Sequence, residues 1–330
     1  MSRRLAVAAA ALVAGLGVVS VVPASADAAA SFTWTATPLP VPAGVFSVRV
    51  NGTDRGNQVV GGYDTFEGGQ HRPGVLWRNG ELIVLGEASG QLTELTAVNT
   101  SGVAVGGHFG FGSPGRRAMR FVVDHYEDLP VPEGTRDSMA TSVNARGDIA
   151  GTVDGRLIVW RAGDPAGFQL PLMPFDSFTS GVGIGDDGTV VGSVLEPVGS
   201  GPNRAFRWDV TGQFHELDRV DQDAEHSTIT IAGKRIAGHV SPFGGVVWGL
   251  RGHIRRDVPN TLIYAMNTRG HLLARGNDGP WFLLRHGNRI DLPNEFLPSG
   301  GTTLTDDDSV AGYSFVNGVQ TPVLWRLVRG

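Results

Sequence analysis

A short motif recurs seven times along this chain and constrains its fold more than any other feature. Each copy is a small apolar run that ends at one residue, and these seven anchors are Gly61, Gly106, Gly151, Gly192, Gly238, Ala274 and Gly312. The first and last anchors lie 251 residues apart, so the six steps average about 42 residues. Seven units of this length fill nearly the whole chain, which predicts a single domain made of one repeated structural unit.

Each unit has the pattern of four short β-strands. A turn such as Asn99–Gly102 or Asn144–Gly147 precedes the anchor, because Asn can bond its own backbone and Gly supplies the positive φ that closes a hairpin. Two further strands follow the anchor. The first carries a large aromatic residue and the second ends in leucine, often with proline after it. The aromatic residues are Trp77, Phe121, Trp160, Trp208, Trp248, Trp281 and Trp325.

Four-stranded units of this length are typical of β-propeller blades, which bury their faces by stacking on their neighbours in a ring. We therefore predict an all-β fold, a seven-bladed β-propeller that spans residues 31–330 as one domain. The small residues of the strand after the turn suit the crowded axis, and the aromatic residues suit the wider gaps between blades. Six or eight blades are the alternatives if repeats five and six are divided differently.

The last repeat lacks a fourth strand, and the start of the chain offers one. Residues Leu39–Pro42 repeat residues Leu129–Pro132 word for word, and the latter end the fourth strand of repeat two. We therefore predict that Phe32–Leu39 pairs beside Val323–Val328, completes blade seven and removes two exposed strand edges. The alternative is a chance match in a proline-rich segment.

Residues 1–26 have the pattern of a secretory signal peptide. Arg3 and Arg4 precede the apolar run Leu5–Val22, and Ala24–Ala26 forms an A-x-A cleavage site. A retained membrane anchor is the alternative, because the run approaches spanning length. Cleavage predicts an extracellular protein with no stable membrane insertion. Loss of the two arginines changes the net charge from −5 to −7, which argues against nucleic acid as a partner.

The repeated unit resembles that of the HAF-repeat extracellular proteins, which runs Ile-Asn-x-x-Gly-x-Val-Val-Gly before a tryptophan strand, a glycine turn and a leucine. Residues Ala97–Gly106, Ser142–Gly151 and Leu76–Leu82 carry the resemblance, which covers about residues 45–330. Lys234 replaces the turn glycine in repeat five, and Ala274 replaces the anchor glycine in repeat six. The resemblance implies a repetitive β fold and a secreted setting, with no catalytic residues. A second resemblance is to kelch propellers, through paired glycines at Gly61 and Gly106 and the later tryptophan.

Composition and motifs exclude several kinds of chemistry. The chain has no cysteine, which rules out disulfides, thiolate metal sites and cysteine nucleophiles. It has no zinc-binding histidine spacing, no G-x-S-x-G elbow and no phosphate loop. We therefore predict no metal and no cofactor. Residues Asp186–Asp187 and Asp306–Asp308 are either calcium ligands or paired carboxylates, or ordinary turn residues. His108 and His239 follow anchors and either converge on one rim or are surface polar residues.

The loop after the anchor is long in repeats one, two, four and seven, and ring closure makes seven, one and two adjacent. Equivalent loops lie on one face of a propeller, so an aromatic and polar patch is expected there. Self-anchored insertions are the alternative. The predicted ligand-binding residues are Tyr63, Asp64, Phe66, His71, His108, Phe109, Tyr313 and Phe315, and the same loops contain Glu67 and Phe111.

These observations favour a monomeric, non-enzymatic binding module for a glycan or an extracellular protein. The alternative is a secreted carbohydrate-active hydrolase or lyase that uses carboxylates such as Asp64 and Glu67 at the central channel. A third possibility is a structural component of a cell envelope or matrix.

Overall fold

The computed structural model describes residues 32–66, 70–110, 115–164, 167–171, 178–195, 201–242, 244–276, 279–294, 303–316 and 319–329. The predicted leader, residues 1–26, lies outside the described residues. The described chain folds into seven antiparallel sheets arranged in a ring, which confirms the predicted seven-bladed β-propeller. None of the helices in these ranges is long and apolar enough to cross a membrane.

The blades follow one another along the chain. Blade one contains β2 (Ser47–Thr53), β3 (Gln58–Asp64), β4 (Gly74–Arg78) and β5 (Glu81–Gly86), and a 3-10 turn follows at Ala88–Gly90. Blade two contains β6 (Leu92–Val98), β7 (Ala104–Phe109), β8 (Arg117–Val122) and β9 (His125–Asp128). Blade three contains β10 (Ser138–Val143), β11 (Ile149–Val153) and β12 (Arg156–Trp160), and Val159 exchanges both backbone hydrogen bonds with Gln169 at its outer edge.

The second half of the ring repeats this order. Blade four contains β13 (Phe178–Ile184), β14 (Val190–Leu195), β15 (Arg204–Trp208) and β16 (Phe214–Glu216). Blade five contains β17 (His226–Ala232), β18 (Arg235–Val240), β19 (Gly244–Gly249) and β20 (Ile254–Pro259). Blade six contains β21 (Thr261–Met266), β22 (Leu272–Gly276), β23 (Trp281–Arg285) and β24 (Asn288–Asp291). Blade seven contains β25 (Thr303–Leu304), β26 (Val310–Val316) and β27 (Val319–Arg329).

The N-terminal strand closes the ring, as the repeated Leu-Pro-Val-Pro sequence predicts. Strand β1 (Phe32–Pro38) pairs antiparallel with β27, with Phe32 opposite Arg329 and Pro38 opposite Val323. The Leu39 N–H then donates to the Pro322 carbonyl at 2.8 Å, just as Leu129 N–H donates to Ala118 in blade two at 2.9 Å. Blade seven therefore takes its outer strand from the start of the chain, and this ties the two ends of the described chain together.

The strand that lies nearest the axis is not the small-residue strand that the sequence predicted. The axial cavity is lined by the strands that precede the turn, whereas the small-residue strands lie one place further out. A β-bulge in the inner strand brings the backbone of that strand into close contact with most of the anchor glycines. A Cβ at Gly61 would lie 1.8 Å from the Arg49 carbonyl oxygen, and one at Gly106 would lie 1.9 Å from that of Glu94. At Gly61 and Gly106, glycine is thus required by the close approach of two strands.

In blades two, three and six, the repeated asparagine joins the blade to the next one. Asn99 Nδ2 donates to the Asn144 carbonyl at 3.0 Å, and Asn144 Nδ2 donates to the Gly185 carbonyl at 3.0 Å. Each side-chain oxygen meanwhile accepts from the backbone of its own turn, as from Val103 N–H at Asn99. Asn267 forms the same bridge to Thr305 in blade seven. One side chain therefore closes the turn and connects neighbouring blades.

The tryptophans form a second set of connections between blades. The Trp77 indole N–H donates to the Pro40 carbonyl at 2.8 Å, and that of Trp160 donates to Pro130 at 2.7 Å. Trp248 makes the equivalent bond to the Asp218 carbonyl. Each acceptor directly follows the leucine that ends the preceding fourth strand. The tryptophan and Leu-Pro parts of the repeat are therefore the two halves of one contact, and the buried rings fill the gaps between blades as predicted.

Candidate functional site at the rim of blades seven, one and two

The antiparallel order of the strands divides the ring into two faces. The turns that carry the repeated asparagine lie on one face, here called the turn face. The loops between second and third strands, and the connections between blades, lie on the opposite face, here called the loop face. All eight residues predicted to bind ligand are near loop-face ends of second strands: β3 ends at Asp64, β7 at Phe109 and β26 at Val316.

The tip of blade one carries an exposed aromatic pair. Thr65 and His71 exchange backbone hydrogen bonds at 3.1 and 3.0 Å, so the chain leaves the blade as a short ribbon with Phe66 beyond its end. Phe66 stacks on Phe46, which precedes β2, with ring centroids 4.4 Å apart and ring planes within 5°. Phe66 is 66% exposed and Phe46 is 49% exposed, so much of this apolar surface faces solvent.

A buried carboxylate lies beneath this pair. Asp64 is 3% exposed, and its two oxygens accept from Arg49 Nη2 at 2.7 Å and Arg72 Nε at 2.8 Å. Burial alone would raise the pKa of Asp64, but the hydrogen bonds and charges of the two arginines outweigh burial and lower it. Asp64 is therefore an ionised carboxylate that holds two guanidinium groups in place at neutral pH.

The blade-one loop is fixed to blade two. His71 Nδ1 lies 3.1 Å from the Glu87 carboxylate, whose other oxygen accepts from Arg72 N–H at 2.7 Å. The Arg72 carbonyl accepts from Thr93 N–H, and its guanidinium carbon lies 5.7 Å from the centre of the Phe109 ring. These contacts bring His71 and Phe109 into one network, although the sequence places them in different repeats.

The histidines that follow anchors do not converge. His108 is 4% exposed, with Nδ1 2.9 Å from Gln91 Oε1 and Nε2 2.7 Å from Asp128 Oδ1, so it is a buried polar residue of blade two. His239 comes one residue after its anchor rather than two, and alternate strand residues face opposite ways. Its Nε2 lies 2.6 Å from the Ile263 carbonyl oxygen, and burial lowers its pKa.

Blade seven differs from the expectation of a long open loop. Strands β26 and β27 remain paired through Tyr313 opposite Pro322 and Phe315 opposite Gln320, so the segment projects as a β-hairpin. Residues two apart on a strand share a face, and Tyr313 and Phe315 accordingly contact edge to face with centroids 6.1 Å apart. Phe315 is 59% exposed. The alternation of aromatic and polar residues at Tyr313, Ser314 and Phe315 indicates such a strand extension, but the prediction rested on loop length alone.

Five predicted residues are exposed or half-buried on the loop face, and three are buried. The first group contains Phe66, His71, Phe109, Tyr313 and Phe315, and we call these residues together with Phe46 the rim patch. Tyr63 packs in the core between blades seven and one, while Asp64 and His108 are buried and hydrogen-bonded. Glu67 and Phe111 lie outside the described residues. Sequence reasoning missed Phe46, Arg49 and Arg72, because it did not use the register of β2 against β3, which places Arg49 opposite Gly62 and bonds Phe46 to Asp64.

A cavity of about 340 Å³ lies on the axis of the ring. Arg55, which has a positive φ of 65°, extends from blade one and donates to the Ile231 carbonyl of blade five. Burial lowers the pKa of Arg55, against the raising effect of Asp186 and Asp306.

The acidic turn residues Asp186 and Asp306 also accept hydrogen bonds from Ala145 N–H and Thr268 N–H of neighbouring blades. They therefore serve as connections between turns. In the described ranges, no cluster of three or more metal-ligating side chains occurs.

Comparisons with known proteins support the fold. No protein-family model and no curated protein matches the chain. Among solved structures the chain is similar to U3-55K, with a TM-score of 0.59 and 9% identity over 88% of this chain and 98% of that one. It is also similar to a puromycin-hydrolysing peptidase of Mycobacterium tuberculosis, with a TM-score of 0.58 and 11% identity over 88% of this chain and 56% of the peptidase. The extracellular domain of the one-component system BT4673 from B. thetaiotaomicron has a TM-score of 0.53 and 9% identity, over 87% of this chain and 39% of that domain. At these identities the likeness establishes the propeller fold alone.

Proposed function

We propose that this protein is a secreted bacterial binding module without enzymatic activity, which recognises an extracellular glycan or protein through the rim patch. The exposed stack of Phe46 on Phe66 carries the proposal. Aromatic rings that remain open to solvent offer apolar surface at low entropic cost, and exposed apolar patches with polar surroundings mark interaction sites.

The surroundings of the pair support a binding role. The carboxylate of Asp64 and the loop contacts of Arg72 fix the base of the blade-one ribbon, and Phe46 N–H donates to the Asp64 carbonyl at 3.2 Å. A surface that is rigid before its ligand arrives loses less entropy on binding. Asp64 thus acts beneath the patch as a positioning residue, whereas Phe66 and Phe315 offer the contact surface.

The hydrolase alternative has less support from the same residues. A general acid needs a pKa raised toward the working pH, but two arginines lower the pKa of Asp64. At the axial cavity, the Arg55 guanidinium faces both Asp186 and Asp306. Glycoside hydrolysis requires a carboxylic acid of raised pKa opposite a second carboxylate, whereas the carboxylates of both locations interact with arginine.

The test is a triple variant, Phe66→Ala, Phe109→Ala and Phe315→Ala, measured on an array of purified glycans and extracellular proteins. We expect ligands of the parent protein to bind at least about 10-fold more weakly to the variant, because stacking contacts contribute roughly 1 kcal/mol or more each. Phe178→Ala is the matched control, since Phe178 is 62% exposed but belongs to blade four. If the triple variant bound a ligand with full affinity, the rim patch would not be the binding site of that ligand.

Secretion and membership of the HAF-repeat proteins are part of the proposal. The repeat motif and the pattern of residues 1–26 support them. The test is expression of the full chain in a bacterial host, followed by N-terminal sequencing of protein from the culture medium. We expect the mature chain to begin at Asp27. A chain that stays in the membrane fraction with residues 1–26 intact would contradict secretion.

A further inference from the structure

The ion cluster under the rim patch joins two guanidinium groups through one buried carboxylate. Both oxygens of Asp64 are occupied, one by Arg49 at 2.7 Å and the other by Arg72 at 2.8 Å. The cluster therefore combines two guanidinium groups with a single carboxylate. The neighbouring ion pair on the same face, Arg116 with Asp137 at 2.9 Å, is balanced one to one. Glu87 is the second carboxylate of this network, but its contacts are with the Arg72 backbone N–H and the His71 ring and not with a guanidinium group.

The cluster also has unused hydrogen-bond donors. A guanidinium carries five N–H groups, and Asp64 accepts through Nη2 of Arg49 and Nε of Arg72. Nη1 of Arg49 is shielded from solvent and has no acceptor among the residues that the structure describes. An atom shielded in this way is out of reach of a ligand, so the donors that a ligand can contact are those of the partly exposed Arg72.

The donors and the aromatic rings are close enough for one ligand to use both. Phe66 is two residues beyond Asp64, and the backbone of Phe46 bonds that of Asp64 at 3.2 Å. The Arg72 guanidinium lies over the ring of Phe109 on the adjacent blade. Arg49 and Arg72 are 34% and 18% exposed, so their side chains are partly open at the surface. An anion bound at the Arg72 guanidinium would therefore lie beside the rings of Phe66 and Phe109.

We propose that the ligand of the rim patch is an acidic glycan, a polymer of uronic acid residues, and this rests on the proposed function. A sugar carboxylate binds the Arg72 guanidinium, while a neighbouring ring stacks on Phe66 or Phe109. A planar carboxylate matches the fork of a guanidinium group. An acidic peptide is the less suited ligand, because extended peptides bind sheet edges or grooves and the rim patch consists of strand ends and loops.

The experiment compares polygalacturonate with its fully methyl-esterified form, by calorimetry on the mature protein at low and high salt. Alginate and hyaluronan serve as further uronate polymers. We expect the ester to bind at least about 10-fold more weakly than the acid, because it cannot form charge-assisted hydrogen bonds. The affinity for the acid should fall as salt rises, and that for the ester should not.

Variants separate this inference from the proposed function. Arg72→Gln should reduce the affinity for the acid to that for the ester, and Arg72→Lys should give an intermediate loss because it keeps the charge without the fork. Arg255→Gln removes the same charge from an exposed position on blade five and should change nothing. Melting curves on each variant establish that it is folded. Phe66→Ala should weaken binding of acid and ester alike.

Each contrary result has a distinct meaning. If acid and ester bound with equal affinity and both bindings depended on Phe66, the ligand would not be recognised by its acid group. The rim patch would still be a binding site. If Arg255→Gln abolished the preference for the acid as fully as Arg72→Gln does, Arg72 would not be the specific binding site of the carboxylate. Binding of polyglutamate but of no uronate polymer would overturn the glycan in favour of an acidic peptide. Failure to bind any of these probes would overturn the inference outright.

Discussion

Asn144 offers the sharpest test of how the ring is held together. Its side chain is buried, with 3% of the residue exposed, and makes four hydrogen bonds. Nδ2 donates to Gly185 O at 3.0 Å and to Asp148 Oδ2 at 2.9 Å, while Oδ1 accepts from two backbone N–H groups of its own turn. The substitution Asn144→Ala removes all four bonds and leaves the Gly185 carbonyl of blade four without this donor.

The expected loss follows from these contacts. A neutral hydrogen bond contributes about 1 kcal/mol, and a buried group left without its partner costs about 1–3 kcal/mol. Because neighbouring losses are not additive, we expect the free energy of unfolding to fall by about 3–4 kcal/mol. Folded domains are stable by only about 5–15 kcal/mol, so this is a large fraction. For a chain of this size it corresponds to a melting temperature lowered by roughly 5 °C.

Thermal melts by circular dichroism measure this effect. Asn288→Ala is the control, because Asn288 is exposed on an outer strand, and it should change the free energy of unfolding by less than about 0.5 kcal/mol. Asn144→Asp keeps the acceptor oxygen but loses both donors and adds a charge beside Asp148, so it should be at least as destabilising as Asn144→Ala. Equal melting temperatures for Asn144→Ala and Asn288→Ala would refute the role of the asparagine as a connection between blades.

Other features of the fold lead to further tests. A chain that begins at residue 43 lacks β1, and calorimetry should show a melting temperature at least about 10 °C lower, since an outer strand and its contacts are lost; an unchanged value would argue against ring closure. Asp64→Asn should cost about 3 kcal/mol at pH 7, and the difference in urea unfolding should shrink below about pH 4, because a lowered carboxyl pKa stabilises fully above the unfolded value and this stabilisation is lost as pH falls through the folded value. Gly106→Ala should cost about 3 kcal/mol through its clash with Glu94 O, whereas Gly276→Ala, where a Cβ would meet no atom closer than 4.0 Å, should cost less than about 1 kcal/mol. Trp160→Phe keeps the ring but leaves the Pro130 carbonyl without its donor, and should cost about 1–2 kcal/mol in the same assay.

Much of the architecture could be predicted because the repeat shows it more than once. Seven anchors with a regular spacing indicate the number of blades, and the copy of Leu129–Pro132 at Leu39–Pro42 predicted which strand closes the ring. The candidate site could be predicted only in part. Loop length located the rim, but it did not show that Tyr63 and His108 turn inward or that blade seven extends as a hairpin, since these depend on alternation and register.

The amino-acid sequence alone determined the local units: turns that need Asn and Gly, short strands, and a period that requires neighbours. Only the tertiary structure decided which residues meet across blades. The Arg72 carbonyl of blade one accepts from Thr93 N–H of blade two, and Arg55 crosses the axis to Ile231, more than half the chain away. Such contacts depend on the angle and closure of the ring, which no local pattern encodes. The fold is therefore predictable from the repeat. The cluster of Arg49, Asp64 and Arg72 depends on the register within one blade, whereas the contact of Arg72 with Phe109 needs blade two packed beside it.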